Sequence, residues 1–120
     1  MKYMLLIYGN EDVWSSVPPD VVEGIIRDTD AQLSELRRSG ELVGAYGIAD
    51  QVMSKTVRVE DGVPAVTDGP YIESKEFLGS FTIVDCDSLE RALEIAAANP
   101  AARLTQVEVR PIMHEAPPEG

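Results

Sequence analysis

The sequence has few of the residues on which metal and redox chemistry depend. Its 120 residues include one cysteine, Cys86, and one histidine, His114. A single cysteine excludes an internal disulfide and a cysteine-rich zinc site, and a single histidine excludes a metal centre built on several histidines. A metal would have to be held by carboxylates alone, so we expect no metal and no cofactor.

Positive charge and long apolar runs are also scarce. Ten Lys and Arg residues stand against 21 Asp and Glu residues, which gives a net charge of −11. A field of this sign repels nucleic-acid phosphates and anionic lipid, so we expect no direct nucleic-acid or membrane partner. The apolar run between Lys2 and Gly9 is shorter than a signal-peptide core, and no run approaches membrane-spanning length. These absences predict a cytoplasmic protein.

What remains is the composition of one packed domain. Apolar residues make up 44% of the chain and charged residues 26%, which is typical of a soluble globular protein. We assign residues 1–112 to a single domain, because the length does not supply two cores. Residues 113–120 contain consecutive prolines and predict a flexible C-terminal tail.

The hydrophobic pattern predicts the order strand, helix, strand, hairpin, strand, helix, strand. The first helix should begin with Asp20 as its cap and end at Gly40, with an apolar stripe facing the sheet. Asp61-Gly62 between two alternating segments is typical of a tight β-hairpin turn. The stripe of the first helix consists of Val22, Ile25, Ile26, Thr29, Leu33 and Leu36.

This order indicates a ferredoxin-like α+β domain. Two strand-helix-strand units with right-handed crossovers place both helices on one face of an antiparallel sheet, with the hairpin inserted between the units. The other face should carry Tyr8, Tyr46 or Phe81, depending on register. An open apolar face on so small a domain has to be covered, so we expect a homodimer formed through the sheet.

The segment from Thr67 to Glu76 has the most distinctive pattern in the chain. One interpretation is structural: Asp68 caps its own turn, Gly69 and Pro70 shape the backbone, and the charges that follow are solvated. The other is functional. Asp68 and either Glu73 or Glu76 would then lie at the lip of a cleft, with Lys75 as an anion contact or as a charge that lowers the pKa of a carboxylate.

Together with other segments, this motif resembles the DGPF family, a branch of the YCII-related proteins. The similar segments are Met1-Lys-Tyr-Met-Leu-Leu-Ile-Tyr8, Glu35-Leu-Arg-Arg-Ser-Gly40, Thr67-Asp-Gly-Pro-Tyr-Ile-Glu-Ser-Lys-Glu76 with Leu78-Gly79, and Asn99-Pro-Ala-Ala102 with Val107-Glu-Val-Arg-Pro111. Tyr71 stands where the family usually has phenylalanine. The resemblance implies a bacterial protein that forms a dimeric α+β-barrel, in which two sheets face each other around a central cleft.

The resemblance also implies what this chain has lost. Broader members of the group carry a His and Asp pair proposed as an acid-base dyad, and Thr29 stands where the histidine would be. A threonine hydroxyl is not ionised at neutral pH and cannot replace that base unaided. Thr29 either bonds back to a carbonyl of its own helix or contacts a ligand in a cleft.

Three functions are consistent with these residues. The first is a dimeric small-molecule-binding module whose cleft includes Asp68, Tyr71 and Trp14, with Trp14 either lining the pocket or packing at the helix entry. The resemblance links such a module to a protein partner in sigma-factor or stress regulation. The second is a cofactor-free isomerase or lyase with Asp68 or Glu73 as the base, and the third is a purely structural or partner-binding dimer.

Overall fold

The structure is a computed structural model that describes residues 1–118, so Glu119 and Gly120 of the predicted tail lie outside it. The described chain forms a strand-rich domain with three α-helices. The strands are β1 (Lys2–Asn10), β2 (Leu42–Gly47), β3 (Lys55–Glu60), β4 (Val63–Asp68), β5 (Glu76–Asp85) and β6 (Gln106–Pro111). The helices are α1 (Glu11–Ser16), α2 (Pro19–Ser39) and α3 (Leu89–Ala98). Two 3-10 turns, at Gln51–Met53 and Pro100–Arg103, complete the elements.

Four strands form the main sheet, in the order β2-β5-β1-β6 with every neighbouring pair antiparallel. The two strand-helix-strand units therefore interleave, with the second strand of each unit at an edge. This is the strand order of a ferredoxin-like domain, and the predicted α+β class is confirmed.

The core lies between the sheet and the two longer helices. Tyr3 and Leu5 on β1 pair with Val84 and Thr82 on β5, and all four are buried on the helical face. Leu36 of α2 joins them in one cluster. Residues of α3 complete that cluster: Ala92, Ile95 and Ala96. Because side chains alternate along a strand, this register turns the other residues of β1 to the open face.

Helix α2 begins two residues earlier than expected and ends where expected. Pro18 is its N-cap and makes no side-chain capping bond, so the prediction that Asp20 caps the helix is wrong; Asp20 lies in the first turn. The C-cap is Gly40 at φ 81°, and the Glu41 N–H bonds to the Leu36 carbonyl at 3.0 Å. Ile26 was expected to face the sheet, yet it is 58% exposed.

Helix α1, which contains Trp14, is an additional helix between the first strand and the first predicted helix. The Asn10 side chain caps it, accepting hydrogen bonds from the N–H groups of Asp12 at 2.9 Å and Val13 at 3.2 Å. This cap supplies acceptors for two of the N–H groups that a helix start leaves unpaired. The short helix therefore turns the chain directly out of β1.

Strands β3 and β4 form a separate two-stranded sheet, which we call the arm (residues 55–68). Its turn places Asp61 at φ 50° and Gly62 at φ 77°, the two positive angles that a type I′ turn requires. In the described chain, neither strand packs extensively on another helix or strand. The arm therefore extends from the domain as an unsupported hairpin.

Of the helices in residues 1–118, none combines the length and the apolar character needed to cross a membrane.

Candidate functional site

The Asp-Gly-Pro turn borders an open polar hollow of about 600 Å³. Five of the predicted site residues line it together: Asp68, Gly69, Pro70, Glu73 and Lys75. Its other walls come from the start of α1 and the 3-10 turn, through Glu11, Asp50, Gln51, Val52 and Ser74. The structure thus brings most of the predicted motif to one concavity.

Backbone hydrogen bonds hold the turn in place. Gly69 lies at φ 94°, a region that favours glycine, and its N–H donates to the Ser54 carbonyl at 2.7 Å. The Thr56 hydroxyl donates to the Gly69 carbonyl at 2.8 Å. The Asp68 carboxylate accepts from the Lys55 ammonium group on the neighbouring strand. The turn is therefore built into the base of the arm.

Two of the charged side chains that line the polar hollow, Asp68 and Lys75, form ion pairs with residues outside it. Lys75 Nζ lies 3.0 Å from Asp12 Oδ2, so this ammonium group anchors α1 rather than either candidate carboxylate. The Asp68 side chain remains 87% exposed even though it binds Lys55. Tyr71 is 82% exposed and does not line this hollow.

Trp14 lines a neighbouring hollow of about 400 Å³, which shares Asp50 with the polar one. Its wall is aromatic because Trp14 and Phe77 both pack over Gly9. A Cβ atom built at Gly9 would lie 2.7 Å from the Phe77 ring and 2.8 Å from the indole nitrogen. Gly9 therefore provides the close approach that both rings need.

A third cavity, of about 210 Å³, lies between the sheet and the helices and contains Thr29. Leu5 and Ile7 form its floor with residues of β2 and β5, while Leu33, Leu36 and Ile95 form its helical wall. Its neutral polar side chains are Thr29, Gln32, Ser80, Thr82 and Asn99. We call it the helix–sheet cavity.

Of these five polar residues only Thr29 was predicted from the sequence; Gln32, Ser80, Thr82 and Asn99 were missed. Gln32 lies three residues after Thr29, a spacing that places both on one face of a helix, so helical periodicity could have found it. Its amide nitrogen donates to the Ile95 carbonyl at 2.9 Å, which ties α2 to α3 beside the cavity. Asn99 caps the second 3-10 turn by accepting from the Ala101 N–H at 2.9 Å.

The helix–sheet cavity suits binding through apolar contacts and neutral hydrogen bonds. Among its lining residues within the described chain, Tyr46 is the only ionisable one. Across residues 1–118, no three His, Cys, Asp or Glu side chains are grouped to hold a metal ion.

The two residues with the largest pKa shifts, Glu41 and Arg91, lie away from all three hollows. Arg91 donates to both carboxylate oxygens of Glu41, at 2.8 and 2.9 Å, and Ser39 donates to the same group at 2.8 Å. These hydrogen bonds lower the pKa of Glu41 to about 2. The pair links α3 to the chain just after α2, so its role is structural.

Comparison with known proteins places this chain in a family. The family model of the YCII-related domain matches residues 1–116. An uncharacterized protein of Rhizobium meliloti (strain 1021) is 34% identical over 116 residues, which cover 93% of this chain and 92% of the relative. A solved structure of 5-chloro-2-hydroxyhydroquinone dehydrochlorinase from Burkholderia phenoliruptrix AC1100, in complex with 2,5-dihydroxybenzoquinone, covers 96% of both chains with 14% identity and a TM-score of 0.48. The predicted resemblance is confirmed, and the chain belongs to the YCII-related domain family.

Proposed function

We propose that this protein is a homodimeric small-molecule-binding module and that the helix–sheet cavity holds the ligand. The observation that carries the proposal is the combination of apolar walls with a few converging neutral polar groups, among them Thr29 and Gln32. Ligand sites in proteins are typically concave and mostly apolar, with a small number of polar side chains that orient the ligand.

The lining also defines the class of ligand. A charged molecule would lose its hydration without meeting an opposite charge, since the described lining offers neither a carboxylate nor a cation. An uncharged compound would keep hydrogen bonds through Thr29, Gln32 and Asn99 while its apolar part contacts Leu33 and Ile95. We therefore expect a small neutral compound with one or two hydrogen-bonding groups.

The polar hollow at the Asp-Gly-Pro turn supports ligand binding less well. Its carboxylates face water, and the Asp68 carboxylate is already bound to Lys55. The acid-base alternative needs a carboxylate in apolar surroundings, which the single chain does not provide at Asp68. We assign the turn a structural role at the base of the arm.

The open face of the sheet supports the dimer. In the register of β1 and β5, Leu6 pairs with Phe81, and Phe81 pairs on its other side with Tyr46. The Tyr46 and Phe81 rings lie 5.1 Å apart on this face, and Tyr46 is half-exposed. A second copy would remove these rings from water. The link to a protein partner in sigma-factor regulation stays a prediction.

A thermal-shift screen of neutral and charged metabolites tests the proposed site. A ligand that binds only the folded protein raises the melting temperature by mass action. We expect neutral hits, and we expect Thr29→Leu to abolish their shift because the larger side chain fills the cavity.

Asp68→Asn is the matched control for that screen, because it alters the polar hollow and leaves the helix–sheet cavity unchanged. It should preserve the ligand shift. If Asp68→Asn removes the shift and Thr29→Leu does not, the ligand occupies the turn and the proposed site is wrong. The absence of any hit among acids, carbonyl compounds, neutral compounds and nucleotides would favour the structural dimer.

A further inference from the structure

The single chain exposes more surface than a folded monomer of its mass. Its accessible area is 8369 Å². A folded monomer of 13.1 kDa is expected to expose about 6,400 Å². The excess of about 2,000 Å² per chain falls within the range that obligate homodimers bury. The radius of gyration, 16.6 Å, also exceeds the value of about 13.6 Å expected for a compact chain of this length.

The excess apolar surface is concentrated around the arm. Within the described residues, ten of the seventeen exposed large apolar side chains lie between residues 46 and 72. Four of them are valines of the arm itself, exposed by 61% to 66%: Val57, Val59, Val63 and Val66. Monomeric proteins rarely leave apolar residues grouped in this way.

One side of the arm is apolar throughout its middle. Val57 pairs with Val66 and Val59 pairs with Pro64, and because these pairs are two residues apart they lie on the same side. We call these four residues the valine face. The pairs between them on the opposite side are polar or small, such as Arg58 with Ala65. An isolated two-stranded hairpin is marginally stable in water, so the valine face needs a surface to pack on.

We propose that the arm clasps a second copy of this chain, with its valine face packed against the partner. The inference adds a second contact to the sheet-face dimer proposed above and rests on that dimer. The arm is connected to the open sheet face by a hollow of about 330 Å³ whose walls include Tyr8 and Leu78 from the sheet and Pro70 and Ile72 from the base of the arm. One partner can therefore cover both surfaces.

The dimensions agree with a second copy as that partner. Each strand of the arm has six residues and spans roughly 20 Å, and four strands side by side measure about 19 Å. An arm is thus long enough to reach along one end of the partner's sheet, which leaves the face of that sheet to the other contact. In a two-fold dimer each chain supplies one arm and receives one. The valine faces of both chains are then buried by one symmetric interface.

Sedimentation equilibrium on the full chain tests the clasp with two neighbouring substitutions. Val66→Glu and Ala65→Glu introduce the same side chain and the same charge into β4, but on opposite sides of the arm. We expect the wild type and Ala65→Glu to dimerise with equal affinity. Val66→Glu should raise the dimer dissociation constant roughly tenfold or more, because it places a charge on a buried valine position.

Circular dichroism shows whether both variants fold, which is expected because both positions are exposed in the single chain. A dimer with equal affinity in all three proteins overturns the clasp and leaves the sheet-face dimer standing. A monomeric wild type overturns both proposed contacts. It would mean that no second copy covers the valine face. Neither result bears on the ligand site, which the Thr29→Leu screen tests separately.

Discussion

The two sheets of this protein differ in what they bury. In the four-stranded sheet, Tyr3 and Leu5 of β1 lie in one buried cluster with residues of α2 and α3, and Val84 of β5 in the same cluster is fully buried. In the arm, equally apolar valines face water on both sides. Both sheets have regular antiparallel pairing, so hydrogen bonding does not separate them.

The difference shows that regular strand pairing does not by itself create a buried core. A β-ladder satisfies the backbone, but the free energy of folding comes largely from removing apolar area from water. The main sheet does so within one chain because two amphipathic helices cover it. The arm has no helix on it, so its apolar side stays exposed to water in the single chain.

The largest expected effect contrasts a core residue with an arm residue. Leu36→Ala should lower the free energy of unfolding by about 3 kcal/mol, because it leaves a cavity in the buried cluster. Val63→Ala, on the side of the arm opposite the valine face, should cost less than about 0.5 kcal/mol. Urea denaturation measures both. Similar losses at the two positions would mean that the arm is buried within the single chain.

A second contrast compares an ion pair beside the core with one in the arm. Because the folded pKa of Glu41 is about 2, below the usual value of roughly 4.3, its contribution is complete above about pH 5 and is lost as the pH falls toward 2. Glu41→Gln should therefore cost about 1 kcal/mol at pH 7, a modest value because water screens Arg91. The variant's stability should also vary less between about pH 2 and pH 5.

Asp68→Asn is the matched change in the arm, since it removes the partner of Lys55 on an exposed surface. It should alter the free energy of unfolding by less than about 0.5 kcal/mol. Thermal denaturation across the pH range measures both variants. Equal costs would show that burial does not distinguish the two pairs.

A third contrast concerns an effect that is local to the arm. Gly62→Ala places a Cβ atom at φ 77° and should weaken the turn by about 1 kcal/mol. Hydrogen exchange should quicken at amides of β3 and β4 and stay unchanged at amides of β1 and β5. Faster exchange in both sheets would indicate that the arm and the core unfold as one unit.

Local chemistry explains which parts of the fold were predictable. Asp61 and Gly62 suit a turn with two positive φ angles, and the structure has that turn. Helix α1 was not predicted because its six residues are too few to show a helical period, although Asn10 before it is a preferred N-cap. Ile26 was misplaced because periodicity shows which residues share a helical face, not how far the sheet extends beneath it.

The sequence predicted individual residues of the candidate site but not which of them lie together. Asp68, Glu73 and Lys75 do meet at one hollow, but Trp14 lines the next one and Thr29 lies in a different cavity. Trp14 and Thr29 are distant in sequence from Asp68, and no spacing along the chain shows which hollow each of them lines. The distance between them depends on the directions that α1 and α2 take after β1, and no local sequence motif specifies those directions.

By itself, the sequence determined the α+β class, the hairpin turn and the family, because each depends on local propensity or on a continuous motif. Tertiary structure alone decided that the polar turn and the apolar cavity are separate places and that the valines of the arm remain in water. The physical reason is that burial depends on which surfaces meet across the whole fold, and residue spacing along one strand or helix cannot specify that.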